Sequence, residues 1–383
     1  MVWVIALCLL GDSLLRFLLL CLRMIKAAPP PRPQAAGFKA ILLIAARNEA
    51  GTIGPTIEAL IPSLSEWPSS RLWVVADHCT DGTAIEAARA GAHVACRDEG
   101  RLGKGAVIDW WLEYHEDEWR GATAVIILDA DSRIAPDSLR ALGNSIAAGA
   151  DAAQAFIAPR AQIVAGRLAG WSEVLMQRFD DEARRRMNWP VPLRGTGMAI
   201  RARLLAELAP RLHTLAEDLE LDAILAARRA RVDFVPEAVV WDPKPNQSAG
   251  VSRQRARWLQ GQLQVMRDYW RELLTSLMSG GAGVWMLICL LFLRPKVAFI
   301  GLRVLAAVLL LLLFGWSGPW LIPLIGLALD LAYYLGGAAV VDEPRRYLLD
   351  LLAAPRYIAL WLYSLGLAII KRGWLRAGRG NAR

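Results

Sequence analysis

The sequence predicts an α/β domain built on a mostly parallel sheet, bracketed by apolar segments long enough to cross a membrane. In the middle of the chain, apolar runs of strand length alternate with stretches of helical pattern, which is typical of a doubly wound sheet. Charged residues crowd positions 45–275, whereas the first 25 and the last 100 residues hold long runs of Leu, Val and Ile. Hydrophobic residues make up 55% of the 383 positions and the mean hydropathy is +0.32. This is too apolar for a purely soluble chain.

The first element is an apolar helix over residues 2–22, within an N-terminal transmembrane segment that we place at residues 1–25. Asp12 and Arg16 interrupt it, but they stand four positions apart and can pair on one helix face. No small-residue cleavage site precedes the Pro-rich linker of residues 26–37, so we expect the helix to be retained. An uncleaved signal-like anchor is the alternative.

The central segment, residues 38–247, is the predicted soluble domain. Its expected strands are residues 40–45, 72–76, 94–96 and 125–128. Open parallel sheets bind ligands outside the carboxyl ends of their strands. Polar clusters stand at these ends: Arg47-Asn48-Glu49 after the first strand, residues 77–82 after the second and Asp129-Ala130-Asp131 after the fourth. We therefore expect the functional site at this edge of the sheet.

The last third of the chain is predicted to lie on or in the membrane. Residues 248–296 are amphipathic and include an apolar run, 284–293, that is too short to span, so we place them at the interface. Residues 297–341 form a predicted transmembrane hairpin of two apolar stretches, 297–314 and 320–341.

Basic residues that flank the apolar stretches set the predicted topology. Arg23 and Lys26 follow the first helix, Arg294 and Lys296 precede the hairpin, and Arg345 and Arg346 follow it. Positive residues favour the cytoplasmic side, so we expect a multi-pass protein of the inner (plasma) membrane with its soluble domain in the cytoplasm. Residues 342–383 then comprise an interfacial segment at 357–370 and a basic cytoplasmic tail.

The excess of basic residues bears on the partners of the chain. With 44 basic and 36 acidic residues the net charge is +8 and the pI is near 9.5. Both values favour membrane lipids with an anionic face or an anionic substrate. Nucleic acid is not an expected partner, since no basic run is interleaved with aromatic residues and no zinc-finger or RNA-recognition spacing occurs. The five cysteines form no Cys-x-x-Cys pair, so neither a disulfide framework nor a zinc site is expected.

Two carboxylates at the exit of the fourth strand are candidate metal ligands. Asp129 and Asp131 follow the apolar run 125–128 and are two positions apart, so both can face the open edge of the sheet. Hard oxygen ligands of this kind hold Mg²⁺ or Mn²⁺ against a diphosphate. Ordinary turn or helix-capping acids are the alternative.

Two further motifs suit a nucleotide. Asp77 and Asp81 bracket the turn after the second strand. One of them can accept hydrogen bonds from a base or ribose, and the other can cap the helix entered at Thr83. Lys104 stands between two glycines at the start of a helix, an arrangement that suits a phosphate. The alternative for Asp77 and Asp81 is that both only cap a helix or turn in a polar loop.

Two later helices carry side chains that suit group transfer. Glu217 and Asp218 open one helix, where Asp218 is a candidate general base and partnership with the helix dipole is the alternative. Gln254 and Arg257 share a face of the next, with Trp258 beside them. The guanidinium can neutralise a leaving diphosphate and the indole can stack on a sugar ring. A basic amphipathic helix on the membrane is the alternative.

The order of these motifs resembles that of membrane-bound family 2 glycosyltransferases, which include cellulose, hyaluronan and chitin synthases and ceramide glucosyltransferases. The resemblance covers roughly residues 38–275 and rests on Asn48, Glu49, Asp77, the Asp129 and Asp131 pair, Glu217-Asp218 and the Gln-x-x-Arg-Trp motif at 254–258. It implies that residues 38–247 are a GT-A (Rossmann-like) catalytic domain in the cytoplasm. It also implies a nucleotide-diphospho-sugar donor and Mg²⁺ or Mn²⁺.

The resemblance assigns roles to individual residues. Asn48, Glu49, Asp77 and Asp129 bind the donor; Asp129 and Asp131 bind the metal; Asp218 is the base beside Glu217; Gly195, Thr196, Gly197, Gln254, Arg257 and Trp258 lie at the acceptor and diphosphate site. Lys104, placed at a phosphate by its own sequence context, joins the donor-binding residues. Trp374-Leu375-Arg376 resembles a cytoplasmic Trp-x-Arg element of some members. The chain departs from the family in having Ala216 before Glu-Asp where Thr is usual, and Ala-Asp-His-Cys around Asp77 where Asp-Asp-Gly-Ser is usual.

These expectations converge on an inverting membrane-bound glycosyltransferase with a glycan acceptor, in exopolysaccharide or cell-surface glycan synthesis. Three predicted spans leave little protein to enclose a polysaccharide channel, so glycan export would need a partner or a homo-oligomer. Transfer of a single sugar to a membrane lipid is the alternative. A nucleotide-sugar-sensing membrane protein is the alternative from another class, although a module that only binds does not need a base such as Asp218.

Overall fold

The computed structural model of the chain describes residues 2–27, 32, 37–65, 67–278 and 296–370. Its strands are β1 (Ala40–Ala46), β2 (Arg71–Asp77), β3 (His93–Arg97), β4 (Ala124–Asp129), β5 (Arg133–Ile134), β6 (Ala152–Arg160), β7 (Met198–Arg201) and β8 (Val232–Pro243). Its helices up to the end of the sheet are α1 (Val2–Ile25), α2 (Ile53–Ser65), α3 (Thr83–Arg89), α4 (Lys104–Tyr114), α5 (Glu116–Trp119), α6 (Ser138–Ala147), α7 (Val164–Leu175), α8 (Glu182–Arg186), α9 (Ala202–Leu208) and α10 (Glu217–Ala227). A π-helical turn, Met176–Asp181, joins α7 to α8. The later helices are α11 (Ser248–Met278), α12 (Lys296–Phe314), α13 (Leu321–Gly336), α14 (Pro344–Leu351) and α15 (Ala354–Ile370).

The eight strands form one mixed sheet in the order β3-β2-β1-β4-β7-β6-β8-β5. The pairs β1–β2, β1–β4, β2–β3 and β6–β8 are parallel, whereas β7 runs antiparallel to β4 and β6, and β5 antiparallel to β8. The four predicted strands are confirmed as β1 to β4. The other four were not predicted, because their apolar runs are short or broken by polar residues such as Gln154.

Both faces of the sheet are buried. Along β1, Ile41 and Leu43 pack in one apolar cluster, which includes Trp111, while Leu42 and Ile44 pack in the other. Successive side chains of a strand point to opposite faces, so a continuous apolar run is what a strand covered by helices on both sides requires. The covered sheet leaves its strand ends as the accessible edge.

Apolar helices from both ends of the chain, α1, α12 and α13, pack against one another. The predicted hairpin is present as α12 and α13. Among the described helices, one is long and apolar enough to cross a membrane: α13 together with the helical turn that follows it, Leu321–Ala339. The apolar part of α12, Phe299–Phe314, is shorter. The predicted multi-pass arrangement stays a prediction. The apolar run 284–293 and the tail 371–383, with its Trp-x-Arg element, lie outside the described residues.

The amphipathic helix α11 is 31 residues long and lies against α15. Tyr357 and Trp361 of α15 are buried in a small apolar cluster with Ala256 and Leu259 of α11. Arg255 donates a hydrogen bond to the Tyr357 hydroxyl and lies over its ring. The segment 357–370, which we expected at the membrane interface, therefore belongs to helix α15 and packs on α11, the helix with the Gln-x-x-Arg-Trp motif. Its position relative to a membrane stays a prediction.

Candidate active site

The carboxyl ends of β2, β1 and β4 lie side by side at one edge of the sheet. Ala45 of β1 is in register with Asp129 of β4, and the next residue of β1 pairs with Ala76 of β2. Residues 47–49, Asp77 and Asp129 therefore emerge together. This is the edge at which the sequence analysis expected a site.

Asn48 and Glu49 lie in a loop that is tied to the turn after β2. The Asn48 carboxamide accepts a hydrogen bond from the Thr80 amide at 2.8 Å and donates one to the Thr80 hydroxyl at 3.2 Å. The Glu49 amide donates to the Thr83 hydroxyl at 2.8 Å. Asp81 accepts from the Thr83 amide and hydroxyl at 3.1 and 2.5 Å, and although burial raises the pKa of Asp81, these bonds outweigh it and lower the pKa. Asp81 thus has the capping contacts expected of it.

Asp77 is buried and paired with a cation. Its Oδ1 accepts a hydrogen bond from Arg97 Nη1 at 2.5 Å and lies 2.9 Å from His78 Nδ1. Arg97 comes from the end of β3 and also donates to the Arg101 carbonyl at 2.8 Å. The pairing offsets the cost of burying the charge and orients the carboxylate. The sequence analysis did not single out Arg97.

Lys104 opens α4 and connects three segments of the chain. Its ammonium pairs with Asp129 Oδ1, donates to the Gly195 carbonyl at 2.6 Å and lies 3.8 Å from Glu217 Oε1. Burial lowers the pKa of Lys104, but the charges of Asp129 and Glu217 outweigh it and raise the pKa. The side chain is therefore a cation throughout the neutral range.

Residues 194–197 form an irregular loop at the same edge. Gly195 and Gly197 have φ angles of +80° and +65°, a conformation that suits glycine. A Cβ on Gly197 would also come within 2.9 Å of a neighbouring side chain. Thr196 Oγ1 accepts a hydrogen bond from the Asp129 amide at 3.1 Å. The Gly-rich segment named in the sequence analysis is thereby in contact with the predicted metal ligand.

Glu217 and Asp218 face this loop from the start of α10. A Cβ placed on Gly195 would lie 3.7 Å from Asp218 Oδ2 and 3.9 Å from Glu217 Oε1. Asp218 Oδ1 accepts a hydrogen bond from the Leu219 amide at 2.9 Å. The other carboxylate oxygen, Oδ2, is the one next to the loop. Burial raises the pKa of Glu217 to about 7. The charge of Lys104 opposes this rise, and the charge of Asp218 adds to it.

The next acids of α10 hold loops in place. Glu220 Oε2 accepts from the amides of His213 and Thr214, each at 2.9 Å. Asp222 Oδ1 accepts from the Leu193 amide at 2.8 Å. Both carboxylates are buried. Among the acids of α10, Glu217 and Asp218 are therefore the ones that approach the Gly195 loop.

The helix α11 crosses the start of α10 where two small residues meet. A Cβ on Gly261 would touch the Ala216 side chain and come within 2.9 Å of the Ala216 amide nitrogen. Gln254 and Arg257 stand seven and four positions before Gly261, so they share its helix face, the one that meets α10. Trp258, which follows Arg257, is 39% exposed.

The comparison with known sequences settles the family, since residues 124–336 match the model of glycosyl transferase family group 2. The chain belongs to this family. A beta-monoglucosyldiacylglycerol synthase from a Synechocystis species is 26% identical to the glycosyltransferase over 278 residues, which are 67% of this chain and 56% of that protein. The match thus spans little more than half the length of that relative.

The fold of the glycosyltransferase is similar to that of a solved structure. The mannosyltransferase PcManGT from Pyrobaculum calidifontis, in complex with GDP-Man and Mn²⁺, superimposes with a TM-score of 0.60 at 16% identity, covering 97% of this chain and 100% of that one. The predicted GT-A-like α/β fold is confirmed. The roles of individual residues stay predictions.

The glycosyltransferase has side chains that fit a divalent cation. The Asp129 side chain is 42% exposed at the strand exit and Asp131 is half-buried. Within residues 2–278 and 296–370, so far as they are described, no group of three or more His, Cys, Asp or Glu side chains is arranged to hold an ion. Mg²⁺ is commonly held by one or two carboxylates together with substrate phosphates. Asp129 and Asp131 therefore fit a metal that binds with the donor diphosphate.

A second charged cluster near the site was missed by the sequence analysis. Lys244, just after β8, is buried and lies 2.7 Å from both Asp242 and Glu173. Burial raises the pKa of Asp242, and Lys244 opposes the rise. Because Arg133 of β5 pairs with Trp241, Asp242 lies near the segment that follows Asp129. The sequence offered one signal for this cluster, an acid and a lysine close together at the end of a strand.

Proposed function

We propose that this glycosyltransferase transfers a single sugar from a nucleotide-diphospho-sugar to a lipid acceptor at the membrane surface, with inversion at the sugar carbon. One observation carries the proposal of transfer: Lys104, Asp129 and Asp218 converge on the loop at Gly195. A positioned base and a cation beside a metal-binding acid are what attack on a diphospho-sugar needs.

Each of these side chains has a proposed task. Asp218 Oδ2 accepts the proton from the attacking acceptor hydroxyl. Lys104 and Arg257 stabilise the negative charge that develops on the departing diphosphate. Asp129 and Asp131 would hold Mg²⁺ or Mn²⁺, and the ion would supply further charge neutralisation for the departing diphosphate. Asn48, Glu49 and Asp77 lie on the side of Asp129 where the nucleotide would bind.

The lipid acceptor is supported by the surface of α11 and by the named relative. Leu263, Trp270 and Leu274 are 53, 50 and 47% exposed and recur at a spacing that places them on one helix face. Arg267 and Arg271 lie among them, which suits an anionic lipid surface. These residues lie about half a turn around α11 from Gly261, so this face points away from the contact with α10 and suits the side of the helix that lies against a membrane. The Synechocystis relative is named for a glucosyldiacylglycerol.

The test uses the full chain purified in detergent. Radiolabelled UDP-glucose, UDP-galactose, UDP-N-acetylglucosamine and GDP-mannose are each incubated with diacylglycerol micelles and Mg²⁺ or Mn²⁺, and the product is separated into lipid-extractable and polymeric fractions. We expect lipid-extractable label that is absent with Asp218→Asn. Label in polymer would support the glycan acceptor expected from the motif order and overturn the lipid acceptor. Donor binding without turnover would support the sensor.

We also propose that the protein is a multi-pass protein of the inner membrane with its catalytic domain in the cytoplasm. The proposal places the turn around residue 317 outside and the segment around residue 345 inside. Single cysteines at Ser317 and Arg345, introduced in a cysteine-free variant, are labelled in intact cells with an impermeant maleimide. We expect labelling at Ser317 only. Labelling at Arg345 from outside would contradict this topology.

A further inference from the structure

A fully buried carboxamide lies beneath the loop at residues 194–197. Gln154 is in β6 and none of it is exposed. Its Oε1 accepts a hydrogen bond from the Arg194 amide at 2.9 Å, and its Nε2 donates to the Thr196 carbonyl at 3.0 Å and the Ala155 carbonyl at 2.9 Å. One side chain therefore holds the loop on both sides of Gly195.

The loop that Gln154 holds is the common neighbour of three predicted site residues. The Gly195 carbonyl accepts from Lys104, and Thr196 Oγ1 accepts from the Asp129 amide. Asp218 Oδ2 lies beside Gly195. The donor side and the proposed base therefore meet through a segment that has no regular secondary structure of its own.

The irregular backbone of this loop explains why it needs a side-chain partner. The Arg194 amide and the Thr196 carbonyl have no partner within a helix or strand, and a buried polar group left without a hydrogen bond destabilises the fold. A carboxamide offers an acceptor and two donors in one plane. Gln154 supplies both kinds of bond and so favours one conformation of the loop.

We propose that Gln154 is a positioning residue for sugar transfer, holding the Arg194–Thr196 loop so that Lys104 and Asp129 stay aligned with Asp218. It acts through the loop and touches neither donor nor acceptor. The proposal rests on the proposed roles of those three residues. It predicts that Gln154 governs how efficiently the donor reacts with the acceptor more than how tightly the donor binds.

A second buried glutamine provides a matched control. Gln177, in the π-helical turn, is also fully buried. It bonds to the same strand, accepting from the Ile157 amide at 2.7 Å and donating to the Ile157 carbonyl at 2.9 Å. Replacing either glutamine by Met removes a buried carboxamide of similar size, but only Gln154 contacts the loop.

The experiment compares Gln154→Met and Gln177→Met in the full chain in detergent, with the nucleotide sugar and acceptor that the wild type turns over. Sugar transferred to acceptor and sugar released to water are measured together, with kcat, donor KM and the folded fraction. A smaller folded population lowers both rates by the same factor, whereas misalignment changes their ratio.

For Gln154→Met we expect kcat to fall by about 10- to 100-fold, donor KM to change by less than about threefold, and the ratio of transfer to hydrolysis to drop by about fivefold or more. For Gln177→Met we expect an unchanged ratio. Gln154→Glu with Gln177→Glu forms a second pair if the Met variant does not fold, since Glu keeps the acceptor for Arg194 and loses the donors.

Equal ratios in the two members of a folded pair would overturn the positioning role, as would a Gln154 variant with kcat close to that of the wild type. The ratio can be measured with a lipid or a glycan acceptor. A failure of the lipid proposal therefore leaves this test intact, and the two failures are distinguishable.

Discussion

At the scale of single residues, the neighbouring acids Glu217 and Asp218 have different surroundings. The Glu217 side chain is 12% exposed and lies 3.8 Å from Lys104, and its pKa is raised to about 7. Asp218 places Oδ2 beside Gly195. Adjacent carboxyls in unlike environments can hold different protonation states at one pH. The proposed base is Asp218.

The first prediction concerns the base. Asp218→Asn should lower turnover by roughly two to four orders of magnitude, the usual range for losing a positioned proton acceptor, while donor affinity stays near that of the wild type. Initial rates and nucleotide-sugar binding are measured in the same detergent. Asp137→Asn is the control, because it makes the same chemical change at a carboxylate that is 78% exposed next to α6. Similar rate losses in both variants would end the assignment to Asp218.

The second prediction follows from the raised pKa of Glu217. In the unfolded chain this carboxyl has its ordinary value of 4.5, and in the folded chain about 7. Between these two pKa values the folded chain keeps the proton on Glu217 and the unfolded chain loses it. The free energy of unfolding therefore falls as the pH rises through this range, and the loss is complete above about pH 7.

The measurement is thermal unfolding of wild type and Glu217→Gln between about pH 5 and 8 in the presence of a chelator. We expect the wild type to lose stability relative to the variant as the pH rises through this window. A constant difference between the two proteins would show that Glu217 titrates near its ordinary value.

At the scale of elements, the contact between α11 and α10 depends on two small residues. Gly261 lies against Ala216 with no room for a Cβ, and the Leu215 amide donates to Gln264 at 2.9 Å nearby. Ala216 is the position where the family usually has Thr. Here the smaller side chain packs directly against the α11 backbone, which gives a structural reason for the departure.

The third prediction tests this helix contact. Gly261→Ala should force α11 away from Ala216, lowering the free energy of unfolding by about 1–3 kcal/mol, as overpacking does, and reducing transfer because Arg257 moves with the helix. Gly301→Ala in α12 is the control, since nothing lies within 4 Å of a Cβ there. Melting temperature and initial rate are compared in detergent. Full activity in Gly261→Ala would contradict the prediction.

At the scale of the whole molecule, a buried network of charges joins the apolar helices. Arg303 of α12 donates to Asp330 of α13 at 2.6 Å and to Asp12 of α1 at 3.3 Å. Arg16 donates to Asp12 at 2.7 Å, which confirms the expected pair, and Ser13 donates to Asp330 at 2.9 Å. The charges balance within the network, so the three helices are specified to assemble with one another.

This assembly is also attached to the catalytic domain. The Tyr333 hydroxyl of α13 donates to Asp180 in the π-helical turn at 3.2 Å, and the Tyr333 ring meets Phe179 edge to face. The neighbouring Asp181 pairs with Arg194 at the start of the Gly195 loop. The apolar helices and the proposed active site are therefore parts of one packed structure.

The fourth prediction concerns the charge network. Asp330→Leu should lower the free energy of unfolding by about 3–5 kcal/mol, because it removes the nearer acid partner of the buried Arg303 and leaves an excess positive charge in the network. Asp330→Leu combined with Arg303→Met should recover most of that loss, since both charges are removed. Thermal unfolding of the two variants and wild type in detergent checks this. A double variant no more stable than the single one would argue against the network.

Local sequence determined the elements that depend on local composition. The apolar runs at residues 40–45 and 125–128 predict strands because a strand covered on both faces needs them. Polar residues placed directly after such runs predict a site at the strand ends. The i,i+4 spacing of Asp12 and Arg16 likewise predicts their pairing, since both lie on one helix face.

Tertiary structure decided the contacts between distant parts of the chain. Gln154 and the loop at residues 194–197 are about 40 positions apart, and Arg97 reaches Asp77 from another strand. No local period encodes which residues such side chains will meet, because strand order and loop conformation arise from packing of the whole sheet. The sequence therefore determined which chemical groups stand at the strand ends, and the fold determined which of them meet around Gly195.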